Sequence, residues 1–162
     1  MIRDWNDYEF CLEAVKQHGL ALRFVINQTP DICLQAVKRH GFALRFVNNQ
    51  THEMCLEAVK DNGYALRFVI NQTPELCLEA VKNDGYSLEY VINQTQEICL
   101  EAVKRHGLAL EYVKEQTPLI IHYLKKYHIS IYESFKKENR ITIPDNEMKK
   151  FYNDNPHLLL TL

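Results

Sequence analysis

Several things are scarce in this chain of 162 residues, and each scarcity removes a class of function. No apolar run approaches the roughly 18 residues that a membrane-spanning helix needs. The opening Met1-Ile2-Arg3-Asp4-Trp5-Asn6-Asp7 lacks the apolar centre of a secretory signal, so an intracellular, cytoplasmic protein is expected, with no membrane partner. Charge of one sign is also missing. The 19 basic and 21 acidic side chains leave a net charge of -2, too little field to gather nucleic acid or an anionic bilayer. Serine is confined to Ser87, Ser130 and Ser134, which leaves few candidates for a hydroxyl nucleophile. What is abundant is ordinary: 46% hydrophobic and 25% charged residues describe a chain that folds as one domain or one short repeat array.

The five cysteines and five glycines are few but ordered. Cys11, Cys33, Cys55, Cys77 and Cys99 recur every 22 residues, as do Gly19, Gly41, Gly63, Gly85 and Gly107. The columns of Ala (14, 36, 58, 80, 102), Val (15, 37, 59, 81, 103) and Leu (22, 44, 66, 88, 110) keep the same period. A fixed period of this length marks a stack of supersecondary units. Five units follow, over residues 7–28, 29–50, 51–72, 73–94 and 95–116, preceded by an N-terminal cap at 1–6.

Each unit carries its own helix punctuation. Thr29, Thr51, Thr73, Thr95 and Thr117, with Asp7 in the first unit, stand where a side-chain oxygen caps the first amides. Pro30, Pro74 and Pro118 occupy the first helical position, and Asp31, Glu53, Glu75 and Glu97 complement the helix dipole. Lys38, Arg39 and His40 before Gly41 read as a basic last turn closed by a left-handed glycine, so the first helix of a unit spans about 11 residues. A second short helix, from Phe42 to about Asn48 in the second unit, must cover Phe42, Leu44, Phe46 and Val47. The first helix carries Ile32, Cys33, Ala36 and Val37 on one stripe, which a hairpin this small cannot bury alone. The predicted fold is all-α: an α-solenoid of five 22-residue helical hairpins with a helical C-terminal cap. In that cap, residues 117–162, a degenerate sixth repeat has Ile129 in place of glycine, so its helix is expected to run on through Tyr123, Tyr127 and Ile131 toward Lys137. A loop broken by Pro144, a last helix from Asp145 to about Asn153 and an apolar tail through Leu160 complete it.

The unit resembles a known family of short helical repeats, domain of unknown function 4116 (DUF4116), whose hallmark Glu-Leu-Cys-Leu-Glu-Ala-Val-Lys-x-x-Gly-x-Ala-Leu-x-Tyr-Val is nearly spelled out by residues 75–91. Such repeats look like those of giant viruses and of proteins that intracellular bacteria deliver into host cells. The resemblance implies binding of a protein partner, host or viral, and no catalytic residue.

Candidate chemistry is thin. His18, His40 and His106 lie seven residues after a cysteine, near the same helix face, but Asn62 and Asp84 replace them in other units and no Cys-x-x-Cys occurs. Neither metal nor cofactor is expected. Equivalent cysteines on helices roughly 8–10 Å apart cannot be bridged, so the thiols read as small buried hydrophobes. Asn27, Asn49, Asn71 and Asn93 begin formal Asn-Gln-Thr glycosylation triplets. Since each Thr is already a helix cap, the Asn and Gln columns are expected instead to bond neighbouring backbone. In the cap, His122, Tyr123, Tyr127 and His128 lie within two turns and read either as capping core or as a small enzyme or ligand site.

One column varies in sign: Arg23, Arg45, Arg67, then Glu89 and Glu111. Residues 1–72 carry eight basic and eight acidic side chains, against four and eight over 73–117, so the array is polar along its axis. This column is the candidate partner-binding ribbon of a non-catalytic interaction module, with a solvated charge row as the plain alternative. A structural block that self-associates through its ends, as monomer or homodimer, is a further alternative.

Overall fold

The computed structural model describes residues 4–159; residues 1–3 of the N-terminal cap and Leu160 of the apolar tail lie outside the described residues. Five α-helices of ten residues, α1 (Tyr8–Gln17), α2 (Pro30–Arg39), α3 (His52–Asp61), α4 (Pro74–Asn83) and α5 (Gln96–Arg105), alternate with five 3-10 helices of six. The latter are η1 (Gly19–Phe24), η2 (Gly41–Phe46), η3 (Gly63–Phe68), η4 (Gly85–Tyr90) and η5 (Gly107–Tyr112). The chain then forms α6 (Pro118–Tyr127), α7 (Ile129–Lys137), α8 (Asp145–Asp154) and the single turn α9 (Pro156–Leu159). Each of α1–α5 packs on the next α-helix and on the 3-10 helices flanking it, the nearest-neighbour architecture of a helical solenoid, and α6 packs on α7 and α8. Among the described residues no helix is long and apolar enough to cross a membrane.

The caps form where the Thr column stands: the Thr29, Thr51, Thr73 and Thr95 hydroxyls accept from the third amide of their helices, and the Asp7 carboxylate does so for α1. The second helix of each unit is a 3-10 helix that begins at the glycine and ends two residues earlier than expected. With three residues per turn, Gly41, Leu44 and Val47 line one edge, and all three are buried. The fully buried leucines at 22, 44, 66 and 88 each contribute about 2 kcal/mol of apolar transfer.

The glycines do not close the α-helices in a left-handed conformation. Among the described residues no glycine has positive φ, and the α2 cap is His40, in extended backbone at φ -159°. Glycine is required instead by close approach between units. A Cβ on Gly41 would stand 2.6 Å from the Ala58 carbonyl oxygen of the next helix and 3.0 Å from the Asp61 carboxylate, and a Cβ on Gly85 2.5 Å from the Ala102 oxygen.

The helix of the sixth unit also departs from expectation. It does not run through Ile129 but breaks at His128, and α7 takes the place of a 3-10 helix. His128 Nε2 lies 3.0 Å from the Lys104 carbonyl at the end of α5, so the break keeps α6 in the ten-residue register of the array and lays α7 against η5.

Candidate functional site

The 3-10 geometry decides where the sign-changing column points. Arg23, Arg45 and Arg67 project from the exposed side of η1, η2 and η3, and each is followed by an aromatic ring. The Arg45 guanidinium sits 5.0 Å from the Phe46 ring centroid and 5.5 Å from Phe68 of the next unit. Arg67 repeats the arrangement with Phe68 at 5.2 Å and Tyr90 at 5.4 Å, and Arg23 lies 4.4 Å from Phe24. Cation and ring therefore alternate, and Phe68 is shared by two guanidinium groups. Such contacts contribute on the order of 0.5–1 kcal/mol each at exposed sites, enough to offset the repulsion between like charges one unit apart. A second aromatic row reinforces the band: Phe42 meets Phe68 edge-on at 5.7 Å, Tyr64 meets Tyr90 at 5.8 Å, and Tyr86 stacks on His106 at 4.7 Å. The aromatic partners were missed in the sequence, although the column directly after the charge, Phe24, Phe46, Phe68, Tyr90 and Tyr112, is readable there.

The acidic end of the column behaves differently. Glu111 is not offered to a partner, because Arg140 from the C-terminal cap binds it at 2.9 Å while lying 4.2 Å over the Phe135 ring. Glu89 remains exposed beside Tyr90, whose phenol is pushed above its ordinary value by burial and by that carboxylate. The unspent charge of the ribbon is thus the three arginines and Glu89, with Glu111 alone consumed.

Gln and Asn, expected to act alike, part company. Gln28, Gln50, Gln72 and Gln94 each clamp the next unit: Gln72 Nε2 donates to the Tyr90 carbonyl at 2.8 Å while its Oε1 accepts from the Ile92 amide at 3.0 Å. The same oxygen accepts the Cys77 thiol at 3.5 Å. At the N-terminal end a backbone carbonyl imitates this clamp, and at the C-terminal end Gln116 continues it. The Trp5 carbonyl accepts from the Ile26 amide and the Cys11 thiol, and Gln116 grips Arg140 and Thr142 of the cap. By contrast Asn49, Asn71 and Asn93 are exposed without a hydrogen bond among the described residues, and Asn27 has only a 3.4 Å contact to Asn6. A bond to neighbouring backbone was expected of them; it is absent because the Gln one residue on already fills those groups.

The five thiols are buried and unpaired, and burial raises them, Cys99 to about 11. Two of the three histidines of the Cys-His pairs serve backbone amides: His40 Nδ1 accepts from Phe42 and His106 Nδ1 from Gly85, while the His18 side chain caps nothing. Among the described residues no three metal-ligating side chains converge. In the cap, His122 is fully buried with Nδ1 3.3 Å from the Tyr152 hydroxyl and Nε2 unpartnered. Burial, then Lys126 and Lys125, push it below its ordinary value. Tyr123 stacks on Tyr127 at 5.6 Å, and Lys104 covers Tyr123 at 4.5 Å. Of the cluster only His122 is packed core; Tyr123 and His128 are half-buried and Tyr127 is exposed.

Fold and surface together define a short helical-repeat solenoid with a cationic and aromatic band. Its family is shown by sequence: the family described as a domain of unknown function (DUF4116) matches at residues 29–73, 51–96 and 73–117, three overlapping windows spanning more than half of the chain. The chain belongs to that family. No curated protein and no solved structure matches it.

Proposed function

We infer that the chain is a non-catalytic interaction module that docks the acidic or phosphorylated surface of a protein partner on Arg23, Arg45 and Arg67. The observation that carries this reading is the stacking of Arg45 and Arg67 between rings of successive units. Held flat on aromatic faces, each guanidinium has lost much of its rotamer freedom before binding and keeps its N–H edge for a bidentate carboxylate or phosphate. The buried free thiols favour a reducing compartment such as a cytoplasm, and a host or viral protein is the partner class consistent with the family. The test is a titration of acidic and phosphorylated peptides against wild type and the Arg45→Glu/Arg67→Glu double variant. Binding should weaken with salt, and the reversal should remove roughly 2–4 kcal/mol of it without unfolding the chain. Equal affinity and equal salt dependence in the two proteins would return the column to plain solvated surface.

A second reading rests on the N-terminal end, where Trp5, Phe10, Leu20 and Phe24 line a largely apolar cleft of about 640 Å³. Association of two copies through this end would bury it. Light scattering across a concentration series, with Phe24→Glu as the disrupting change, decides it.

A further inference from the structure

One contact repeats along the array. The glycine that opens each 3-10 helix forms a trailing face, set against the leading face of the following unit. The Gly41 and Gly63 amides donate to Asp61 and Asn83 at the end of the next α-helix, at 2.7 and 2.8 Å, and the Gly85 amide to His106 Nδ1 at 3.2 Å. Ala36, Ala58, Ala80 and Ala102, whose carbonyls stand nearest these glycines, are fully buried. At the C-terminal end Gly107 lies against His128 and Ile131, so the cap closes the last trailing face. At the N-terminal end the leading face is open. Phe10, Ala14 and Ala21 are only half-buried, where Ile32, Ala36 and Ala43 hold the same positions buried. Phe24 is 47% exposed, while Phe46, Phe68, Tyr90 and Tyr112 in its column are half-buried. The carbonyls of those four accept a Gln amide from the preceding unit, and the Phe24 carbonyl has no such donor among the described residues. Trp5 rests 5.1 Å from both Phe10 and Phe24 yet leaves the cleft of about 640 Å³ between α1 and η1 unfilled.

We propose that this end docks the trailing face of a repeat unit from another chain built on the same 22-residue repeat. The contact is then the one already made between successive units here: a glycine against the Ala14 carbonyl, with apolar residues of the partner over Phe10 and Ala21. The acceptors for the incoming glycine amide are in place. Gln17 and His18 hold the positions of Asn83 and His106; Gln17 spends its N–H on Glu13 and keeps its side-chain oxygen, and the His18 ring caps nothing. Glycine is the selective feature, because a Cβ on Gly41 would stand 2.6 Å from the Ala58 carbonyl at the equivalent contact. A helix with a side chain at that point is held off, so an arbitrary amphipathic helix does not satisfy the site. A second copy of this chain does not satisfy it either. Its last trailing face is closed by the cap, and two N-terminal ends brought together would set Trp5 and Phe24 against their equals, with no glycine and no donor amide between them.

The experiment uses Trp5, the only tryptophan of the chain and a wall of the cleft, as the reporter. The probe is a synthetic two-unit peptide, residues 29–72, which has no tryptophan and leaves the trailing face at Gly63 uncovered; Ala36→Lys in the peptide keeps it from stacking on itself. Titrated into the full chain, it should shift the Trp5 emission and saturate below about 1 mM. The same peptide with Gly63→Val, a change its backbone accepts because φ there is not positive, should bind at least about tenfold more weakly. The full chain with Phe24→Glu should lose binding to the same extent with an unchanged circular dichroism spectrum. Arg45→Glu/Arg67→Glu should leave binding intact, which separates this end from the surface proposed for acidic partners. A stationary Trp5 emission up to about 1 mM peptide, equal binding of the Gly63→Val peptide, or undiminished binding by Phe24→Glu would each overturn the proposal. So would a dimer of the full chain alone that Phe24→Glu dissociates, since the end would then be occupied by a second copy.

Discussion

Replacing Gly41 by alanine puts the inter-unit contact under test. The added methyl would lie 2.6 Å from the Ala58 carbonyl oxygen and 3.0 Å from Asp61 Oδ2, against ordinary contact beyond 3.4 Å. Nearly 1 Å of relief is needed, and the first obstacle is backbone of an α-helix locked into the next interface, which cannot swing aside as a side chain would. The same movement stretches the bond from the Gly41 amide to Asp61, 2.7 Å long. Overpacking of a close-packed site costs about 1–3 kcal/mol, and an unyielding carbonyl with a coupled hydrogen bond puts Gly41→Ala at about 3 kcal/mol. Urea unfolding followed by circular dichroism measures it, with Gly41→Asn beside it. Asparagine is the best substitute where a glycine is left-handed, but a larger side chain on the same Cβ is worse where the obstacle is steric. Gly41→Asn should therefore be at least as destabilising as Gly41→Ala. If asparagine restores wild-type stability, the close-approach explanation is wrong.

Ser87 stands in a column otherwise alanine, buried with an unpartnered hydroxyl, so Ser87→Ala should raise stability by about 1 kcal/mol; a lower urea midpoint would show that the hydroxyl has a partner. His122 is held below its ordinary value near 6.5, so the unfolded chain binds the proton first and this contribution to stability is intact above pH 6.5 and falls as the pH drops below it. His122→Phe, which suits the surrounding rings of Tyr123, Phe151 and Tyr152, should flatten that part of the stability profile; an unchanged slope would place the titration elsewhere. The thiols should alkylate slowly at pH 8 in the native chain and rapidly in denaturant, since burial raises them all; rapid native labelling of Cys55 or Cys77 would contradict their place in the core.

The repeat period, the Thr and Asp caps, the buried Cys-Ala-Val stripe and the all-helical solenoid were legible in the linear chain, because each depends on residue type and spacing within some ten residues. The arginine column was legible as a change of sign, but not as a preorganised band, since Phe68 and Tyr90 reach Arg45 and Arg67 from the following unit. The conformation of Gly41 was misjudged for a related reason: a basic turn before glycine fits a left-handed cap and a close contact equally well, and only the position of the Ala58 carbonyl in the next helix distinguishes them. His128 breaks a helix that local pattern continues, because the Lys104 carbonyl of α5 binds its ring. Glu111, equivalent to Glu89 by spacing, is consumed by Arg140 from a segment outside the repeat. Spacing along one unit specifies what that unit forms. What its outward side chains meet depends on the unit stacked beside it, and contacts across about 20 residues of chain exist only once the array has closed.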